Sequence, residues 1–532
     1  MEEEKYLSAE AEGRNTEKIK NVFKKVCESK SAKRIICRLL LFAAAGIVFE
    51  FFVAYAFSPL YKGLWDFDVP VFWEIGKGWA KGLLPFRDLM DLKGPLVFLA
   101  YRIGYMLFGD RMKMMAVFDI LSFALSGAIL CETADIILES RSRKNTLLCL
   151  CIMVLAAAGP WGPGGMVSVY TLPAVSLSWM FLAKWMKSES TDHRPLWAFV
   201  YGITFGLCMM SRMLDGVAVA APCLWISICL ARKRKWKNLA ENAAACAIGA
   251  VLACAPFVIY FAACGALGEM MYGTFGMGAR YYVYASPFYH LSTLWPTFFY
   301  SIMIMVSLVW SAAAAKRNGL QKAGLIISSS VISLLILFAT KSSEFYYIPY
   351  IPVTAVSAFE LIHTARVSSD AVRKRMTSAF IGGLAVIVLS GTYTMSVGRN
   401  NMASQSYEFD SNIANIASQI PAKERKDVLL YDIYMKYYRT LNIPVRFKYF
   451  CNQRWEIGVV GKSYAKRLSD EIVHKGPKWI IMRMYPENGR LVVKWPSKKA
   501  SAMYEIKTAS GYLALAERTD GKKKNKITKI IV

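Results

Sequence analysis

Histidine is scarce, with four residues in 532, and no Cys/His spacing of the zinc type occurs, which argues against a metal centre built on imidazole and thiolate. Acids are also short, with 38 Asp and Glu against 65 Lys and Arg and a net charge of +27. Such an excess would suit nucleic acid if it were spread over one surface, but here it sits in short clusters between apolar runs. In that position it sets membrane topology, and no nucleic-acid partner is expected. The last 136 residues hold a single cysteine, Cys451, so no internal disulfide can brace them. No cleavable signal peptide is expected either, because the first apolar run follows a long charged tail and exceeds a signal h-region. That run reads as an anchor.

What is plentiful is apolar: 55% of residues are hydrophobic and 13% aromatic, beyond the usage of an ordinary soluble domain. Runs long enough to span a bilayer, or nearly so, fall at 35–57, 114–138, 146–160, 166–186, 196–211, 216–231, 242–263, 292–315, 323–340, 346–363 and 376–396. The chain is therefore read as a polytopic α-helical membrane protein with about eleven transmembrane helices. A further stretch, 95–109, is short, interrupted by Arg102 and rich in aromatics, and is read as an interfacial or re-entrant helix. Leaving it out of the count puts nearly every basic cluster on one side: Lys24, Lys25, Lys33 and Arg34, then Arg141/Arg143/Lys144, Lys184/Lys187, "RKRKWK" (232–237), "KRNGLQK" (316–322) and "RKR" (373–375). By the positive-inside rule that side is the cytoplasm.

Three regions follow: a cytoplasmic tail over 1–34, a transmembrane region over 35–396 with a first outer loop at 58–94, and an extracytoplasmic soluble domain over 397–532. The last is expected to be a small α/β module. "DVLLYD" (427–432) and "KWIIMR" (478–483) read as buried strands. "SYAKRLSDEIVHKG" (463–476) reads as a helix ending at Gly476, and "YEIKTASGYLALAER" (504–518) as a hairpin turning at Ser510-Gly511.

The first outer loop, "LWDFDVPVFWEIGKGWAKGLLPFRDLMDLKGP" (64–95), carries Asp66, Asp68, Asp88 and Asp91 with Arg87 and Lys93 among Gly and Pro. Solvated surface would account for acids in a random loop. Here, carboxylates beside basic partners at a membrane surface suit a reaction on a lipid phosphate, in which an acid takes a proton and a cation holds the departing phosphate. Asp66-Phe67-Asp68 also admits a divalent cation, although two carboxylates leave most of its coordination shell to water and phosphate.

Asp68 followed by aromatics, then "GKGWAKGLLPFRD", then Lys93-Gly94-Pro95, resembles the first extracytoplasmic loop of the GT-C glycosyltransferases. The likeness is to the branch holding the protein O-mannosyltransferases and the lipid A aminoarabinose transferase, and it extends more loosely over 35–396. "KSSEFYYIPYIPV" (341–353) is similar to the late outward loop where such enzymes place a Tyr-His or Tyr-Tyr pair, here Tyr346-Tyr347. The resemblance implies a polyprenyl-phosphate-linked sugar as donor, a glycan, lipid or protein as acceptor, membrane lipids as surroundings, and no required cofactor. It makes Asp68 the catalytic base and Lys93 the contact to the donor phosphate. Two departures stand out. Relatives often have Asp-Glu where this chain has Asp68-Val69, so a second carboxylate would have to come from Asp66, and the aminoarabinose branch often reads Lys-Pro-Pro where this chain has Gly94.

The chemistry itself needs a base, Asp68 or Asp66, and phosphate stabilisation from Lys93 with Arg87, Arg212 or Arg280 as further candidates. Arg212 lies at the outer turn "MSRMLDG", where binding an anion and pairing with Asp215 are both open. Arg280 lies in "FGMGARYYVYASPFYH", whose aromatics either line a groove or mark the membrane interface. The alternative class is a transporter or flippase of lipid-linked glycans, which needs ionisable groups along a path through the spans. The spans hold few such acids apart from Glu50, Asp119, Glu132 and Asp135.

Overall fold

The computed structural model describes residues 29–61, 68–284, 294–340, 343–453, 458 and 460–520; Asp66, His290 and most of the N-terminal tail lie outside these. Each of the eleven apolar runs forms a helix, because backbone N–H and C=O groups in hydrocarbon can be satisfied only within the segment. Eight are long and apolar enough to cross a membrane: Lys30–Phe52, Met112–Ile137, Met213–Arg232, Trp236–Ala263, Leu294–Ala315, Gln321–Ala339, Glu344–Arg366 and Asp370–Val397. The remaining three runs are the helices Arg143–Ala157, Val167–Lys187 and Pro195–Met209. Pro95–Phe108 is a helix of 14 residues, about 21 Å long at 1.5 Å per residue, against roughly 30 Å of hydrocarbon.

The helices pack without a sequence-visible stripe, and small residues set some of the approaches. A Cβ on Gly202 would lie 1.9 Å from the Cys246 carbonyl oxygen, so the helices Pro195–Met209 and Trp236–Ala263 meet backbone to backbone. Acids in the spans have partners. Arg38 donates to Glu132 (2.6 Å) and to Asp135 (2.8 Å). Trp161 donates to Glu50 (2.8 Å) and the Gly165 amide to Asp119 (2.6 Å).

The helix that starts at Asp370 does not end with its apolar part but runs to Ser418, 49 residues in all. Past Val397 the sequence turns polar without a proline until Pro421, so nothing breaks the helix where the hydrophobicity ends. Its length is about 73 Å, more than twice the hydrocarbon thickness, and its far end meets the C-terminal sheet, where Ser510 and Asn412 are hydrogen-bonded at 3.0 Å.

The sheet has five strands, β1 (Val428–Tyr431), β2 (Trp479–Glu487), β3 (Arg490–Val493), β4 (Tyr504–Ser510) and β5 (Leu513–Arg518). Their order is β1-β2-β5-β4, with β3 beside the end of β2. β1 and β2 run parallel, joined by a crossover containing the helix Lys462–Lys475. That helix buries Tyr464, Leu468 and Ile472, one face at i, i+4 and i+8. The expected strands, helix and hairpin are all present, the turn falling between Ser510 and Leu513.

Candidate functional site

The segment 58–94, expected as a loop, contains a helix, Asp68–Ala80. Its start signal is Asp68 followed by Pro70: an acid in the first turn matches the positive end of the helix dipole, and proline costs no hydrogen bond there. Phe72 packs on Phe98 and Tyr101, and Trp73 on Tyr101 and Tyr105, with ring centroids 5.7–6.5 Å apart. This holds the helix against Pro95–Phe108. Asp68 is left at the helix's N-terminal end, its side chain 29% exposed.

The turn that follows is held by its own acids. Asp88 accepts from the Leu84 amide (2.7 Å) and from Arg87 (2.9 and 3.0 Å), and the Arg87 guanidinium holds the Asp88 carboxyl below the usual range. Asp91 accepts the Lys93 amide at 3.2 Å. Beyond it, the Gly94 amide donates to the Ser211 carbonyl and the Leu96 amide to that of Met210, both at 2.8 Å. A Cβ on residue 94 would lie 2.1 Å from the Met210 carbonyl oxygen. Glycine at this position therefore permits a backbone contact that a proline, lacking both the space and the N–H, would break.

Lys93 is thereby aimed at Asp68. Its Nζ lies 3.4 Å from Asp68 Oδ2 and 5.5 Å above the Phe72 ring centre. Burial would lower the Lys93 pKa, but Asp68 and Asp91 outweigh it and hold the ammonium well above its ordinary value. Burial likewise pushes the Asp91 carboxyl up, with Lys93 opposing. The result is a buried cation paired with the partly solvated Asp68 and under the electrostatic influence of the buried Asp91.

The other side of the site comes from two further turns, Met213–Gly216, which Arg212 precedes, and Glu344–Tyr350. Arg212 donates to Asp215 (2.7 Å), which also accepts from Thr171 (3.1 Å) and Ser168 (3.3 Å). The guanidinium lies 3.8 Å over the Tyr346 ring centre and reaches the Phe345 carbonyl at 3.4 Å. Of the two readings of Arg212, the pairing with Asp215 is the one seen, and the guanidinium also faces the Tyr346 side of the site. Tyr346 and Tyr347 sit on a 3₁₀ turn, Glu344–Tyr350, and adjacent residues there point about 120° apart. Tyr346 shares its electrostatic surroundings with Tyr281, Arg212, Lys93 and Asp68. Tyr347 packs instead toward Tyr300 and Thr297.

Asp68, Lys93, Asp91, Arg212 and Tyr346 are thus brought together. Arg87 and Asp88 pair with each other, and Arg280 donates to Ser463 and to the Val460 carbonyl in the C-terminal region. Phe72 and Tyr281 were not singled out from sequence; the aromatic run after Asp68 and "ARYYVY" were the available signals. Among the described residues no three His, Cys, Asp or Glu side chains gather as a metal site.

No sequence-family model matches the chain, and no curated protein sequence matches it. Its fold does match. The crystal structure of ArnT from Cupriavidus metallidurans bound to undecaprenyl phosphate aligns over 90% of this chain and 97% of its own with a TM-score of 0.54 and 13% identity. The chain has the GT-C fold. The apo structure of the same protein aligns at 14% identity over 90% of this chain and 98% of its own, with a TM-score of 0.47. With its apolar helices, the architecture is that of a multi-pass membrane protein.

Proposed function

We propose that the protein transfers a sugar from a polyprenyl-phosphate donor to an acceptor hydroxyl on the extracytoplasmic side, with inversion at the anomeric carbon. The observation that carries this is the buried Lys93 ammonium 3.4 Å from Asp68, in a chain with the fold of a protein solved bound to undecaprenyl phosphate. Asp68 takes the acceptor's proton as the acceptor oxygen bonds to the anomeric carbon. The bond from that carbon to the phosphate oxygen breaks, and its electron pair leaves with the polyprenyl phosphate. Lys93 neutralises the charge gathering there, and Arg212, already largely balanced by Asp215, lends orientation through Tyr346. Asp66 supports or shares the base role. In this reading the N-terminus is cytoplasmic, residues 397–532 lie outside, and no metal is required.

The transporter alternative needs acids free to load and release along a path. Glu132 and Asp135 are instead fixed on Arg38, and Glu50 and Asp119 each hold one oxygen on Trp161 and the Gly165 amide, so these four acids do not make up a continuous free path. In cells lacking the protein, one polyprenyl-phosphate sugar should accumulate on the outer leaflet. Accumulation only on the inner leaflet would support transport instead.

A further inference from the structure

Three segments surround Lys93 from the outside: the helix bearing Asp68, the turn 84–94, and the segment Leu267–Tyr284 that carries Tyr281. The turn and the third segment are bonded to residues 437–467 of the C-terminal region, more than 150 residues away in sequence, and the helix is linked to them through Asp110. On the Asp68 helix, Lys77 pairs with Asp110 at 3.0 Å, and Arg439 donates to the Asp110 carbonyl at 2.7 Å while lying 5.9 Å from the Trp73 ring centre. On the turn, the Met90 amide donates to the Lys448 carbonyl at 2.8 Å, one residue before Asp91. On the third segment, Glu269 meets Lys448 at 3.3 Å and Arg467 at 3.6 Å. Arg467 also lies 4.2 Å over the Tyr272 ring, and Arg280 bonds Ser463. The segments touch each other as well, since a Cβ on Gly273 would lie 2.8 Å from the Asp91 carbonyl oxygen.

We infer that the C-terminal domain acts as a clamp that sets the spacing of Asp68 and Lys93, with Arg439, Lys448 and Arg467 as positioning residues. Both partners of the ion pair ride on elements that this domain ties down, and the third tied segment is the one that carries Tyr281 toward the ammonium. A module that only recruited acceptor would need no bond to the turn that aims Lys93. Because the tied elements are linked, the coupling runs both ways: a phosphate seated on Lys93 steadies the clamp, as reciprocity of binding free energies requires. The inference rests on the donor-phosphate role given to Lys93 above.

The test uses the full-length protein in detergent, with undecaprenyl phosphate as probe and hydrogen–deuterium exchange as a second readout. Arg439→Ala/Lys448→Ala/Arg467→Ala keeps the backbone carbonyl at position 448 but releases the segment that carries it from Asp110 and Glu269. Probe affinity should fall about 10-fold, the size of a moderate coupling, and amides 86–94 should exchange faster as that carbonyl is held less firmly over the Met90 amide. In the wild type, adding the probe should slow exchange over 437–450, and in Lys93→Ala it should not. Unchanged exchange over 86–94 in the triple variant overturns the clamp, however Lys93→Ala behaves. Faster exchange there, with wild-type probe binding by Lys93→Ala, overturns the donor-phosphate reading and leaves the clamp standing.

Discussion

Replacing Lys93 by Met keeps the unbranched stem, one atom shorter, and removes the ammonium. At the 3.4 Å separation from Asp68, one unit charge acting on another is worth about 5 kcal/mol at an effective dielectric of ~20. A phosphate arriving at the same Nζ gains a similar term, offset by its own desolvation and by competition with Asp68. The surplus expressed at the transition state should be about 2–4 kcal/mol, the range for one charge-stabilising donor, or roughly 30- to 1000-fold in kcat/KM. The change also strands Asp91, whose carboxyl is buried and already pushed up by that burial. It should take up a proton rather than remain ionised, so Lys93→Met is expected to fold with a lowered melting temperature. Adding Asp91→Asn removes the stranded acid and should recover that stability without recovering turnover. The assay is transfer from the lipid-linked sugar that accumulates when the protein is absent, at subsaturating donor, beside thermal unfolding of each variant. A double variant that is stable and turns over like the wild type would refute the role given to the ammonium.

Gly94→Ala places a Cβ 2.1 Å from the Met210 oxygen; it should cost about 1–3 kcal/mol or more in stability and lower turnover as Lys93 swings off Asp68, and a variant with neither loss would contradict the close-approach argument. Cysteines placed at Arg111 and Glu487 should react with a membrane-impermeant reagent from outside; labelling of either only from the cytoplasm would overturn the topology. Chelation should leave transfer unchanged, because Lys93 supplies the positive charge, and a loss restored by added magnesium would show that Asp66 and Asp68 hold a cation.

The membrane helices were legible because burial in hydrocarbon leaves long apolar runs, and the C-terminal strands because a buried parallel pair reads as short apolar bursts such as "VLLY" and "WIIM". The helix carrying Asp68 was not. Aromatics and glycines crowd both of its faces, since it is buried nearly all round, and a helix without a polar face shows no period. The Asp68–Lys93 contact spans 25 residues and depends on the Gly94 zipper to Ser211, which no local pattern announces. The divergence of Tyr346 from Tyr347 depends on a 3₁₀ turn that a proline-containing aromatic run does not specify. The bonds from residues 437–467 to the outer turns join segments with no sequence relation, so the C-terminal region read only as a separate module.

The most direct measurement is turnover of Asp68→Asn beside Asp66→Asn, with the matched lipid-linked donor and binding of undecaprenyl phosphate followed in the same preparations. Asp68→Asn keeps the side chain's shape and removes the base, so turnover should fall at least about 10²-fold while binding survives, and Asp66→Asn should lose less. Near-normal turnover in Asp68→Asn with abolition in Asp66→Asn would move the base to Asp66, and normal turnover in both would contradict the transfer chemistry itself.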